Sequence, residues 1–286
     1  MADLQEIVLT FSCRDSKGLV AAVATLFATL GFNIKESSQF EDVDCERFFM
    51  RTVFECPPGY SLQQVRLLFQ PLAEQYAMDW QLHDRECKMR VLIAVSQWGH
   101  CLNNLLNSWK TGSLPVEIVG VVSNHEVMRP LTEWYELPFY YLPVTAESKA
   151  QQEEQIASLM EKEKVECLVL ARYMQILSDA LCDKLAGRAI NIHHSFLPGF
   201  KGARPYHQAY DRGVKLIGAT AHFVTADLDE GPIIEQAVER VSHINTPEEM
   251  VEIGRATEAL VLNRALRWHA ERRVLLNGKK TVVFAR

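Results

Sequence analysis

Apolar and polar positions along the first part of the chain form short blocks that predict alternating strands and helices. Residues 5–13 form a β-rich run, and residues 19–30 carry apolar side chains at helical spacing. Further strands are predicted at 32–39, 47–55 and 78–82, with a second helix at 62–75. The resulting order, βαββαβ, is the ferredoxin-like arrangement.

A second pattern follows the short charged segment 84–88. Apolar runs now alternate with longer amphipathic stretches, which is typical of a mainly parallel sheet built from βαβ units with helices on both faces. The predicted strands are 89–95, 117–122, 166–170, 188–192 and 216–224, and the predicted helices are 100–110, 149–163, 179–186 and 206–212. We therefore predict an α/β protein with two domains, residues 1–84 and a Rossmann-like domain of residues 85–286.

The end of the chain carries two further local signals. Thr246, Pro247 and Glu249 provide an N-cap, a proline at the first helical position and a capping-box glutamate, so a long final helix is predicted to begin there. Asn277 and Gly278 then predict a hairpin turn between two short strands.

Composition narrows the class of protein. Hydrophobic residues make up 48% and charged residues 23%, which is ordinary for a globular protein. The formal charge of −6 argues against a nucleic-acid or membrane-surface partner. No apolar run reaches a membrane-spanning length, and no secretory signal is visible. The seven cysteines show no Cys-x-x-Cys spacing, which favours reduced thiols in the cytoplasm over disulfides or a zinc site.

Three polar groups mark a candidate site in the second domain. Asn191 and His193 end one apolar, strand-like run, and Asp229 lies in the loop that follows the run 216–224. Since the carboxyl ends of strands in an open α/β sheet face one crevice, we expect the three side chains to converge. An amide can donate to a developing oxyanion, while an imidazole and a carboxylate handle protons.

The motif Asn191-x-His193, followed by His222 and, after six residues, Asp229, resembles the family of enzymes that use N10-formyltetrahydrofolate. The resemblance covers roughly residues 89–270, and it implies that Asn191, His193 and Asp229 are catalytic. It also implies that the segment after the buried strand 166–170 lines a pterin pocket. By this resemblance the folate-contacting residues are Met174, Gln175, Leu177, Ile192 and Thr225, with His194 and His222 in support. Ordinary core packing is the alternative interpretation of Met174 and Leu177, and a satisfied core histidine that of His222.

Members of this family differ in the acceptor of the formyl group. Family members that use glycinamide ribonucleotide need a glycine- and serine-rich phosphate loop after the first strand of this domain. Here the loop contains Trp98 and His100 with a single glycine, and His194 stands where those enzymes usually have proline. Members acting on methionyl-tRNA carry an additional C-terminal domain, for which the sequence leaves no room. The chain therefore looks like the deformylases of this family, which hydrolyse 10-formyltetrahydrofolate and release formate for purine synthesis.

Two alternatives stay open at this point. One is a formyltransferase with an unusual amine acceptor, and the other is a non-catalytic sensor that joins an amino-acid-binding module to a folate pocket. If the chain is a hydrolase, we expect Asn191 to donate to the oxyanion, Asp229 to accept a proton from water or to hold that water, and His193 to stabilise the oxyanion or protonate N10. The sequence does not decide whether His193 or Asp229 is the general base. We expect no cofactor and no metal, with 10-formyltetrahydrofolate as the small-molecule substrate.

The first domain resembles an ACT domain through Asp15 and Gly18 at its first β–α junction. That resemblance implies an amino-acid effector at Asp15 and Gly18 and pairing into a homo-oligomer, either a dimer or a tetramer. The alternative is a purely structural or oligomerising domain that binds no ligand. The motif departs from the related deformylase form in having Arg14 where proline is common. The apolar residues Phe48, Phe49, Val53 and Phe54 are predicted to form a partner-covered face.

Overall fold

The computed structural model describes residues 4–199 and 205–285. The N-terminal elements are β1 (Gln5–Arg14), α1 (Leu19–Thr29), β2 (Asn33–Asp42), β3 (Arg47–Cys56), α2 (Leu62–Gln75) and β4 (Asp79–Asp84). Next come β5 (Met89–Val95), α3 (His100–Lys110), β6 (Val116–Ser123), α4 (Arg129–Trp134), β7 (Phe139–Tyr141), α5 (Lys149–Lys162), β8 (Cys167–Leu170), α6 (Asp179–Lys184) and β9 (Ala189–His193). The last elements are α7 (Pro205–Asp211), β10 (Leu216–Phe223), β11 (Ile233–Arg240), α8 (Pro247–Ala270), β12 (Val274–Asn277) and β13 (Lys280–Val283).

One compact unit contains the described residues up to Lys88, with Glu271–Asn277 and the described residues from Val282 onward. Its sheet has the order β2-β3-β1-β4, and each of these pairings is antiparallel. The predicted βαββαβ order is therefore confirmed. Two local signals shape the unit: Gly18 adopts a left-handed φ of 87° just before α1, and Ser61 forms a capping box with Gln64 at the start of α2.

The predicted partner face on β3 is wrong. Phe48 and Phe54 lie in the core cluster of this unit, and Phe49 packs against Val282 and Phe284 on the chain's own C-terminal segment. Phe49, Phe54 and Val53 are fully buried within the single chain. The apolar pattern of β3 is explained because both of its faces are covered by residues of the same unit.

The other compact unit contains the described residues of Met89–Ala270 and Gly278–Thr281. Its sheet has the order β11-β10-β9-β8-β5-β6-β7, and the pairings from β9 to β7 are parallel. This mainly parallel sheet and its helices match the predicted fold class. The sequence pattern missed α4, β7 and β11. The predicted domains were 1–84 and 85–286, whereas the last residues of the chain belong to the first unit. Val282 and Phe284 pack there against Phe49.

The direction of β10 corrects the argument that carboxyl ends of parallel strands bring the site together. β10 runs antiparallel to both β9 and β11, so its carboxyl end lies beside the beginning of β9. His222 is instead the cross-strand partner of Asn191, and Thr220 is that of His193. The side chains therefore meet by direct pairing of two strands on one face, because alternate residues of a strand share a face.

Among residues 4–199 and 205–285, no helix combines the length and the apolar character that crossing a membrane requires.

Candidate active site

A pocket of about 690 Å³ lies in the second unit and brings the predicted residues together. Its lining includes every residue predicted for catalysis, folate binding or support: Asn191, His193, Asp229, Met174, Gln175, Leu177, Ile192, Thr225, His194 and His222. Such a concave site with apolar walls and a few convergent polar groups suits a flat heteroaromatic ligand.

His193 and Asp229 form a close pair at the centre of this lining. Nδ1 of His193 lies 3.2 Å from Oδ1 of Asp229, and both side chains are largely buried. The other ring nitrogen of His193, Nε2, is buried and has no hydrogen-bond partner among the described residues. A buried imidazole nitrogen without a partner, in the wall of a pocket, is available to a ligand or to water.

The loop that carries Asp229 is folded tightly back towards β10. Asp229 has a φ of 58°, which is in the left-handed region, and Phe223 donates its N–H to the carbonyl of Pro232. A Cβ on Gly231 would lie 1.7 Å from the carbonyl oxygen of Phe223, so only glycine fits there. The sequence Asp229-Glu230-Gly231 thus sets the turn that returns the carboxylate to His193.

Asn191 is held by His222 on the neighbouring strand. The amide Nδ2 lies 3.3 Å from Nε2 of His222, whose Nδ1 lies 2.9 Å from the carbonyl oxygen of Phe223. Since that carbonyl can only accept, we assign the proton of His222 to Nδ1, and Nε2 accepts from the Asn191 amide. Burial lowers the pKa of His222, which agrees with this neutral ring.

The charge state of Asp229 follows from its neighbours. Burial raises the pKa of its carboxyl group, but the hydrogen bond and the charge of His193 outweigh this effect, and the net pKa is lowered. Nε2 of His222 lies 3.9 Å from the same carboxylate oxygen. A carboxylate that stays ionised can fix the tautomer and orientation of His193.

The segment predicted to contact the pterin follows β8. Met174 donates its backbone N–H to Oγ of Ser96, and its side chain is 53% exposed at the pocket, so the alternative of a core methionine does not hold for it. Leu177 is 7% exposed and belongs to the core cluster under α6, so it serves packing as well as lining the pocket. Thr225 donates its hydroxyl to the carbonyl of Asp227 and thereby shapes the loop on the pocket wall.

A group of buried polar residues at the pocket escaped the sequence analysis. Glu258 on α8 is 1% exposed and accepts from Tyr206 Oη at 2.7 Å, and its Oε2 lies 2.8 Å from Nε2 of His100 and 3.4 Å from Nε of Arg172. One sequence signal could have found Glu258. It lies four residues after Gly254 and four before Leu262, and so on the apolar face of the final helix, where a glutamate is unusual.

Glu258, His100 and Cys101 also place three potential metal-ligand atoms within 4.8 Å of one another. The donor set fits a cation poorly. Arg172 already lies beside the same carboxylate oxygen, and burial raises the pKa of the Cys101 thiol well above its usual value, so the thiolate is disfavoured.

His194 and the two ACT-like residues complete the predicted set. Burial, followed by the charge of Arg172, lowers the pKa of His194 to about 3, so this ring is neutral at ordinary pH. Asp15 and Gly18 are exposed at the junction of β1 and α1 in the first unit and are not part of the pocket lining.

The formyl transferase family model matches residues 89–266. The chain is similar to formyltetrahydrofolate deformylase from Corynebacterium sp. (strain P-1), at 46% identity over 99% of both chains. Its fold is similar to the crystal structure of formyltetrahydrofolate deformylase from Burkholderia mallei, with a TM-score of 0.94 and 52% identity over 98% of this chain and 99% of that one.

A more distant likeness covers about two thirds of the chain. The glycinamide ribonucleotide transformylase 1 of Symbiobacterium toebii matches 68% of this chain and 94% of its own, at 29% identity and a TM-score of 0.63. The match to the deformylases, in contrast, extends through the ferredoxin-like unit as well. The chain therefore belongs to the formyltetrahydrofolate deformylase family.

Proposed function

We propose that this protein hydrolyses 10-formyltetrahydrofolate to tetrahydrofolate and formate. The observation that carries the proposal is the His193–Asp229 pair, whose free imidazole nitrogen lines the same pocket as the fixed amide of Asn191. Water adds its oxygen to the formyl carbon, the bond from that carbon to N10 breaks, and N10 takes up a proton. The products are tetrahydrofolate and formate, with no change in oxidation state.

Asn191 serves as the oxyanion donor in this proposal. One N–H of its amide is directed to Nε2 of His222, which leaves the second N–H for the formyl oxygen. A donor that is fixed before the reaction costs little reorganisation when negative charge develops on that oxygen.

His193 acts as the proton carrier. Its Nδ1–H is held by the ionised Asp229, so Nε2 of the neutral ring is the group that can take a proton from the attacking water. The resulting imidazolium is stabilised by Asp229 and returns the proton to N10 as the C–N bond breaks. In this assignment His193 is the general base and Asp229 orients it. The sequence alone left open which of the two residues is the base.

Folate recognition is assigned to the walls of the pocket. Met174, Gln175 and Leu177 line one side, and Ile192 and Thr225 belong to the same lining. Because Asn191 and His193 supply the oxyanion donor and the proton transfer, we propose that the reaction needs neither a metal nor a cofactor.

Incubating the pure protein with 10-formyltetrahydrofolate alone tests the hydrolase. Formate should appear together with tetrahydrofolate in equal amounts, without any added amine. If formate or formyl transfer appears only after an amine acceptor is added, the protein is a formyltransferase. If neither appears while the folate binds, the sensor is the correct interpretation.

The wider role follows from the same proposal. We place the reaction in the cytoplasm, where the formate feeds purine synthesis and the hydrolysis balances the one-carbon folate pool. The ferredoxin-like unit would act as an ACT-type domain that assembles an even-numbered homo-oligomer and takes an amino-acid effector near Asp15 and Gly18. Support for assembly comes from α2, on which Leu67 and Leu68 are exposed, and not from β3.

A further inference from the structure

The proposed reaction gives no role to the buried ion pair of Arg172 and Glu258. Both side chains line the pocket that contains Asn191 and His193. Arg172 lies close enough to His194 for its charge to contribute to the lowered pKa of that ring. The ring centroid of His194 lies 5.2 Å from that of His193, with the two planes tilted by 32°. The pair therefore lines the same pocket as His193 and lies next to His194, the ring that neighbours it.

Glu258 is satisfied from within the chain. Burial raises the pKa of its carboxyl group, but the hydrogen bond with His100 and the charge of Arg172 outweigh this, and the net pKa is lowered. His100 is the first residue of α3, and its Nε2 lies 2.8 Å from Oε2 of Glu258, so this helix supplies one of the partners of the carboxylate. An external anion or hydroxyl group that enters here must compete with a built-in carboxylate and its partners.

Arg172 occupies an unusual backbone position. Its φ is 64°, a left-handed conformation that glycine adopts without cost and that other residues adopt at a cost in free energy. The position is fixed by the neighbouring strands, since Ser96 donates its N–H to the carbonyl of Arg172 and Ala171 donates to Ala94. A large charged side chain is therefore kept at the end of β8, in the pocket wall, where the backbone favours glycine.

Two further elements are built around this pair. Tyr206 on α7 donates its hydroxyl to Glu258, and a Cβ on Gly254 of α8 would lie 2.1 Å from that hydroxyl oxygen. Glycine at 254 therefore lets Tyr206 approach α8 closely enough to reach Glu258. The start of α3, the end of β8, α7 and α8 all contribute to holding one ion pair.

We propose that Arg172, held by Glu258, fills the side of the pocket where an amine acceptor would lie, and that this ion pair reserves the formyl carbon for water. The inference rests on the proposed hydrolysis and adds the residues that set its specificity. An amine acceptor needs room for its whole body beside the formyl carbon, whereas water needs room for one oxygen. In a formyl transfer the amine nitrogen would replace N10 on the formyl carbon, and a proton from that amine would pass to N10.

The test is Arg172→Gly, which removes the side chain and suits the left-handed backbone. Wild-type and variant proteins are given 10-formyltetrahydrofolate with and without glycinamide ribonucleotide, and formate and formylated ribonucleotide are both measured. The opened space should admit the cationic amine, and the Glu258 carboxylate, which keeps His100 and Tyr206 but loses Arg172, should attract it. We expect the inhibition constant of the ribonucleotide against formate release to fall by about tenfold or more, and formylated product to appear.

Lys164→Gly is the matched control, because Lys164 has a φ of 50°, is exposed and lies outside the pocket lining. Lys164→Gly also replaces a cationic side chain by glycine at a left-handed backbone position. Its products and its inhibition by the ribonucleotide should equal those of the wild type. The ratio of the two products does not depend on the fraction of folded enzyme, so a loss of stability alone cannot imitate the effect. Glu258→Gln removes the charge that holds Arg172 and should also raise the ratio of formylated ribonucleotide to formate. This variant replaces Arg172→Gly in the test if Arg172→Gly does not fold.

The inference is overturned if Arg172→Gly and Glu258→Gln respond to the ribonucleotide as the wild type does. It is also overturned if the wild type already forms formylated ribonucleotide at a rate near that of formate release. Failure of the proposed hydrolysis has a different signature. In that case the wild type releases no formate from 10-formyltetrahydrofolate alone, whatever the variants do with the ribonucleotide.

Discussion

The amide of Asn191 has one orientation available to it, because Nε2 of His222 accepts from it while Nδ1 is engaged by a carbonyl. Asn191→Ala should lower kcat by roughly 10²–10³-fold, the usual cost of removing one oxyanion donor. Steady-state kinetics with 10-formyltetrahydrofolate measures the effect, and KM should change much less. A change confined to KM would remove Asn191 from the chemical step.

Asp229 tests the proton-transfer assignment at the same scale. Asp229→Asn keeps the shape of the side chain and deletes the charge that orients His193, so the loss of kcat should equal or exceed that of Asn191→Ala. The lowered pKa of Asp229 means that the carboxylate is already ionised well below neutral pH, and it should not limit the wild-type rate there. Near-wild-type kcat in Asp229→Asn across the pH profile would show that the pair is assigned wrongly.

His194 carries a prediction about stability and pH. The ring has a pKa of about 3 in the fold against an ordinary value of 6.5, so the unfolded chain binds a proton on it more readily than the folded chain does. Its neutral, buried state therefore costs nothing above pH 6.5 and destabilises the fold progressively as the pH falls from 6.5 towards 3. Burial is the main cause, and Arg172, Glu258, His193 and Asp229 are the charged or titratable groups around it.

His194→Asn should remove this dependence, because asparagine does not titrate. Thermal unfolding measured between pH 7 and pH 4 should show a smaller drop in Tm for the variant than for the wild type. An exposed histidine, His243, provides the control substitution His243→Asn. Equal slopes for all three proteins would show that His194 does not contribute.

At the scale of elements, the loop after β9 depends on one threonine of β10. Thr220 Oγ1 donates to the carbonyl of Ser195 and accepts from the N–H of Leu197 and from Nε2 of Gln236, and it is fully buried. Through these bonds β10 fixes the segment that directly follows His193. The cross-strand pair of Thr220 and His193 thus couples the order of this loop to the position of the catalytic imidazole.

Thr220→Val should lower the free energy of unfolding by about 1–3 kcal/mol, because it leaves the buried N–H of Leu197 without its acceptor. Chemical denaturation measures this loss, and kcat should fall as the loop loosens. Thr111→Val, at the exposed end of α3, removes a hydroxyl whose exposed hydrogen bonds reach the carbonyls of Asn107 and Ser108 and the hydroxyl of Ser113. This change should alter the free energy of unfolding by about 0.5 kcal/mol or less. A similar small effect for Thr220→Val would show that the loop is held by other contacts.

At the scale of the whole molecule, the ferredoxin-like unit is predicted to assemble the protein. Leu67 and Leu68 are exposed on α2, with 58% and 37% of their surfaces accessible. We expect the full-length chain to sediment as a dimer or tetramer, and Leu67→Lys combined with Leu68→Lys to yield a smaller species. Leu276→Lys, at another exposed leucine of the same unit, is the control. A wild type that sediments as a monomer would contradict the prediction.

Much of this protein is determined by its sequence locally. The periodicity of apolar positions predicted the order of β1 to β4 and, with the exception of β7, the strands from β5 to β10. Burying one face of a helix or strand imposes the repeat of that element on its apolar residues. The motif of Asn191, His193 and Asp229 was also readable, since spacing and residue type are properties of the sequence itself. Gly231 even encodes the tight return of the loop that carries Asp229.

Tertiary structure decided what depends on elements distant in the chain. The periodicity of β10 is the same in either direction, so only the fold reveals that the strand is antiparallel and sets His222 beside Asn191. The apolar residues of β3 suggested a partner surface because the sequence does not show that Val282 and Phe284 cover Phe49. The pair of Arg172 and Glu258 joins the end of β8 to α8, and neither residue has a local signal for its partner. The role of a buried charge depends on the group of opposite charge beside it, and tertiary packing determines which group that is.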